Sequence, residues 1–131
     1  MVKVVARFVD GHVLKGKTAD FAAGKAIFHV ASAGEPGASA VDVKTNLLKA
    51  LFFVKDLDGD PARVDNHDHD TTQPALGKWV RVVFCDGEVL VGTTRGYRPD
   101  LPGFFVVPGD SDSNIERCYV IVDNMREIRF L

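Results

Sequence analysis

His67-Asp68-His69-Asp70 is the densest group of titratable side chains in the chain. Two histidines at i and i+2 of an extended segment point the same way, and imidazole nitrogens with a neighbouring carboxylate suit zinc or another divalent ion. Further ligands are not evident, because His12 and His29 lie far away in the chain and Cys85 and Cys118 sit in strand-like runs. A solvated acidic linker is the simpler reading; His67 and His69 stay as weak candidates, and no metal is assigned. Two oxygen-rich runs raise calcium chemistry in the same way. An EF-hand loop needs Gly at its sixth position and Glu at its twelfth. Counting from Asp56 finds Pro61 and His67, and counting from Asp110 finds Ile115 and Ile121. Both runs therefore read as Asx-type turns.

Nucleophile and base pairs are missing. The chain has no Gly-x-Ser-x-Gly elbow, P-loop, dinucleotide fingerprint or Cys-x-x-Cys pair, so neither an enzyme nor a cofactor is expected. Lysines and arginines are scattered among acids, and the formal net charge of -2 advertises no nucleic-acid footprint. No run of eighteen apolar residues is present, and Met1 to Arg7 moves straight into strand alternation, so no membrane segment or signal peptide is expected. Two cysteines in apolar runs agree with a cytoplasmic setting.

The elements that would position any site come from a repeat. Val4 to Thr18, with Asp10-Gly11 at its centre, returns as Val80 to Thr94 with Asp86-Gly87, 76 positions on. Phe21, Phe28 and Val30 then meet Tyr97, Phe104 and Val106, and at an offset of 77 Leu48 to Val54 meets Met125 to Leu131. Residues 1–54 and 79–131 are thus two equivalent units, and residues 55–78 are a linker without a counterpart. Units of about fifty residues bury too little surface to be comfortable alone, so the copies are expected to pack together or to oligomerise.

Within each unit the first strand alternates, with Val4, Ala6 and Phe8 on one face, and Asp-Gly supplies a tight reversal. Gly16 and Gly92 fall at the same inward position of the returning strand and read as corner residues, where a side chain would crowd a sharp bend. Third, fourth and fifth strands are expected around Phe28 and Phe104, Val41 to Val43 and Cys118 to Val122, and Leu51 to Val54 and Ile128 to Leu131. Residues 43–50 have room for one helical turn. Short strands with turn signals and no long helical period predict an all-β chain of two tandem five-stranded small barrels.

The order of strand, Asp-Gly, apolar strand with an inward Gly and a later aromatic resembles the first signature of the Sm-like (Sm/LSm/Hfq) small barrels, a pattern shared by many SH3-like barrels. Val122-Asp123-Asn124-Met125-Arg126-Glu127-Ile128 is similar to their second signature. The resemblance implies RNA as an alternative partner, bound through Asn124 and Arg126 and the corresponding Asn46 and Lys49. The Asp and Asn that RNA-binding members carry after the second strand are replaced by Ala22 and Ala26, and by Arg98 and Pro102.

Alternation also sends Val83, Cys85, Val89 and Val91 to the face opposite the second core, with Val5, Val9 and Val13 at corresponding places in the first unit. Apolar residues there need a cover. The sequence thus predicts a non-enzymatic, cytoplasmic binding or scaffolding protein, with Val83, Val89 and Val91 as an interaction surface and a protein partner or self-association expected. RNA binding is the alternative, and a small-ligand site in the groove between barrels is the third reading.

Overall fold

The computed structural model describes residues 1–33, 39–59, 77–110 and 112–131. His67 and His69, with most of the 55–78 linker, lie outside the described residues. The structure is all-β. Among the described residues, ten strands form one open antiparallel sheet: β1 (Val2–Phe8), β2 (Val13–Thr18), β3 (Ile27–Ser32), β4 (Val41–Lys44), β5 (Leu48–Val54), β6 (Lys78–Phe84), β7 (Val89–Thr94), β8 (Gly103–Pro108), β9 (Ile115–Ile121) and β10 (Met125–Phe130). Their order across the sheet is β10-β6-β7-β8-β9-β5-β1-β2-β3-β4. Among the described residues no helix is long and apolar enough to cross a membrane.

The local rules act twice. Phe8 N–H donates to the His12 carbonyl at 2.9 Å and Phe84 N–H to that of Glu88 at 2.9 Å, closing two turns of the same form. Gly11 and Gly87 hold φ of 94° and 90° there, a region an L side chain rarely enters. Asp10 Oδ1 and Asp86 Oδ1 each accept the N–H two residues on, at 2.8 and 3.0 Å. Val4 then pairs with Gly16 and Val80 with Gly92. These two glycines are required by close approach: a β-carbon at Gly92 would lie 2.8 Å from the Val107 carbonyl carbon, and one at Gly16 would lie 2.9 Å from that of Ala31.

The single helical turn expected within residues 43–50 is a 3₁₀ turn at Thr45–Leu47, and a second follows β9 at Val122–Asn124. Leu48 N–H closes back onto the Thr45 carbonyl, so β5 starts at Leu48, three residues before the expected Leu51. By the same geometry β10 starts at Met125 instead of Ile128.

Two apolar clusters meet at the middle of the sheet. One joins Val80, Val82, Phe84 and Phe104 to Val5, Ala50, Phe52 and Val54 of the first half. The other joins Val4, Phe28, Val30 and Leu51 to Tyr119 and Ile121 of the second half. Every residue of β5 is buried: Ala50, Phe52 and Val54 enter the first cluster, and Leu48, Leu51 and Phe53 the second. Burying one large apolar side chain is worth about 1.5–3 kcal/mol. Exchanged residues such as Phe52 and Tyr119 therefore tie each half's core to the other half.

Candidate functional site

The seam between the halves is the β5–β9 ladder, with Ala50 opposite Val120, Leu51 opposite Tyr119 and Phe52 opposite Cys118. Lys49 lies at its edge, only 3% exposed. Its Nζ donates to Asp86 Oδ2 at 2.8 Å and Glu88 Oε2 at 2.6 Å, and lies 4.8 Å from the centre of the Phe84 ring. A buried ammonium needs such partners, since desolvation without them is costly. The same ammonium holds the Asp86 carboxyl below its ordinary range. Asn124 Nδ2 donates across the seam to the carbonyls of Asn46 at 3.0 Å and Leu48 at 2.7 Å. Tyr119 accepts the Gly24 N–H at 3.2 Å, and the Arg117 guanidinium stacks over Phe53 at 4.3 Å and Phe105 at 4.5 Å.

Of the four residues that the small-barrel resemblance singles out, Lys49 and Asn124 thus face each other's half across the seam. Arg126 donates to the Cys85 carbonyl at 3.1 Å, and Asn46 is exposed on its 3₁₀ turn. Val83 and Val91 are buried within the chain and Val89 is half-buried. Glu127 stands opposite Val83 in the β10–β6 ladder, and Gly109, against which the Trp79 ring lies, donates to the Val91 carbonyl. Val5 is buried in the second half's cluster, whereas Val9 and Val13 remain exposed. The runs at Asp56 and Asp110 form Asx turns: Asp58 N–H donates to Asp56 Oδ1 and Asp112 N–H to Asp110 Oδ1, both at 3.0 Å. Both cysteines are free, and burial pushes the Cys118 thiol far up.

A groove of about 390 Å³ opens at one end of the seam. Ile27, Pro102 and Ile121 give it an apolar lining, with Lys25, Lys44 and Asp123 around them. Beside it lies a polar cluster that sequence reasoning passed over. His29 Nδ1 is 2.6 Å from Asp20 Oδ2, and its Nε2 is 3.1 Å from Asp42 Oδ1. The clue was the alternation that sets His29 opposite Asp42 in the β3–β4 ladder. With a carboxylate at each ring nitrogen, the protonated form of His29 donates to both.

The hydrogen bond that His29 donates to the Asp20 carboxylate raises the His29 pKa above its ordinary 6.5. A raised folded pKa contributes stability that is complete below the unfolded value and is lost as pH rises through the folded one. The tie between β3 and β4 is therefore expected to loosen as pH rises through the raised folded pKa. An NMR titration of the His29 ring should give a midpoint above 6.5 that returns toward it in Asp20→Asn; an unshifted midpoint in the parent chain would remove this tie.

Over residues 1–131 the sequence matches a family of unknown function (DUF6982), and the chain belongs to that family. No curated protein and no solved structure matches it.

Proposed function

We propose that the chain is a non-enzymatic, cytoplasmic binding or scaffolding protein built from two duplicated small barrels of Sm-like or SH3-like form, and that it acts through the edges of its sheet. The observation that carries this is the strand order: the inner edges of the halves are consumed by each other, while among the described residues β4 and β10 end the sheet unpaired. An unpaired strand offers a row of backbone donors and acceptors to another chain. Exposed apolar side chains lie on both, Val41 on β4 and Phe130 on β10.

This reading is preferred to RNA binding because Lys49 and Asn124 already spend their polar groups on the seam. A photocrosslinking residue at position 42 or 129 is expected to capture protein in cell extract, with little capture from position 17 on β2. Equal capture from position 17, or none from the edges, would overturn the edge reading.

The groove favours a second reading, a small ligand. Its apolar lining between Lys25 and Lys44 suits a compact apolar molecule bearing an anionic group.

A further inference from the structure

The seam has a counterpart at the free ends of the sheet. Residues 48–54 and 125–131 are equivalent, as are Phe28 and Phe104, which pair with Val43 and Val120. Hence β10 occupies in the second half the place of β5, and β4 occupies in the first half the place of β9. The ionic fastening of the seam recurs there too. Arg126 stands where Lys49 does, and Phe8 and Asp10 stand where Phe84 and Asp86 do, whereas Leu47 stands where Asn124 does. Asp10 is exposed and its carboxylate accepts the N–H of its own turn at His12.

We propose that a second copy of this chain docks head to tail, β10 of one copy along β4 of the next, in the register of the β5–β9 seam. Glu127 then lies opposite Val43 of the next copy, Ile128 opposite Asp42 and Arg129 opposite Val41. Arg126 reaches Asp10 and the Phe8 ring of the next copy, as Lys49 reaches Asp86 and Phe84. The contact is heterologous, so repeated docking closes a ring or extends a filament according to the rotation per copy.

The two interfaces differ in kind. Ala50 and Phe52 in the seam become Glu127 and Arg129, and Tyr119 and Ile121 become Asp42 and Lys44. An interface that trades apolar contacts for charges is weaker and screened by salt. The seam is therefore permanent and the contact between copies reversible. The competing occupancy is none at all, with these charges serving as guards against edge pairing.

This inference rests on the edge-binding reading, and its test separates the two. Sedimentation velocity of the full chain at increasing micromolar concentration should show a mass rising from 14.3 kDa through multiples of it. The rise should reverse when salt goes from about 0.05 to 0.5 M, where the screening length drops several-fold. Arg126→Glu and Asp10→Arg should each weaken association at least about tenfold, the equivalent of about 1.4 kcal/mol. Combining both substitutions in one chain, or mixing the two variants, should restore it. Val41→Lys, at an exposed side chain set opposite Arg129, should weaken it without altering the melting curve, and so serves if either charge variant misfolds. A single mass at all concentrations, or charge variants that associate like the parent, would overturn the proposal. A monomer whose edges still crosslink to other proteins would overturn self-docking and keep edge binding; a monomer whose edges crosslink to nothing would overturn both.

Discussion

Lys49→Glu is expected to destabilise the protein by about 3–5 kcal/mol, the loss that follows when one member of a buried ion pair is replaced and its partners are left opposed. The parent ammonium is shared by Asp86 and Glu88 at 2.8 and 2.6 Å, and the substitution would bring a third carboxylate against them. Both partners are about half exposed, at 53% and 52%, and can rehydrate, which keeps the cost from going higher. Lys49→Met keeps an aliphatic stem beside Phe84 and should lose only about 1–3 kcal/mol, the range for hydrogen bonds to a charged group. Since domains of this size are stable by about 5–15 kcal/mol, the first variant approaches the unfolding threshold. Urea denaturation checks both, and a Lys49→Glu midpoint close to the parent's would show that the ammonium fastens nothing. The pair also has a pH signature. Lys49 holds the Asp86 pKa below its ordinary 3.8, so this contribution is complete above that value and fades as pH falls through the folded one.

Gly92→Val should be at least as damaging, with a loss of about 3 kcal/mol or more. Its first added carbon would meet the Val107 carbonyl carbon at 2.8 Å and Val106 Cγ1 at 2.9 Å. The obstacle on one side is backbone, which cannot swing aside as a side-chain tip can, and overpacking commonly costs 1–3 kcal/mol even where side chains can yield. Gly92 also belongs to the short β7–β8 pairing, Gly92 with Pro108 and Thr93 with Val107, so moving the strands apart breaks the ladder that joins them. Thermal unfolding followed by far-ultraviolet circular dichroism is the measurement. Gly96→Val provides the contrast, because a β-carbon there meets nothing within 4 Å. If the two variants melt together, the close approach at Gly92 is not what fixes that residue.

These effects lie at unequal depths in the sequence. Gly92 was legible: its inward position repeats at Gly16, and a glycine kept at the same point of two diverged copies marks a backbone constraint. The Asp-Gly turns and the all-β class were equally plain, because hairpin dipeptides and alternation act within a few residues. The role of Lys49 was not legible. Its partners lie 37 and 39 residues away, on a turn of the other half, and nothing local distinguishes a lysine that will be buried from one that stays in water. The apolar residues behaved in the same way. Val83 and Val91 read as an uncovered face, yet the chain covers them itself, since alternation shows which face a residue takes and not what is laid over it. Leu48 to Val54 lacks the polar alternation of a half-exposed strand because both of its faces are inside, a pattern that fits the centre of a sheet and not the end of a unit.

That doubly buried strand has a consequence for synthesis. When Val54 leaves the ribosome, the residues of β9 that will pair with β5 have yet to be made. One edge of β5 can pair with β1 at once, but its other edge waits for β9, and with it Ala50, Phe52 and Val54 wait for Cys118 and Val120. At about 5–20 residues per second, that interval lasts roughly 3–13 s. Throughout it the nascent chain carries an open, flat, apolar strand, so this small protein is at its most vulnerable to aggregation, and of greatest interest to chaperones, midway through translation.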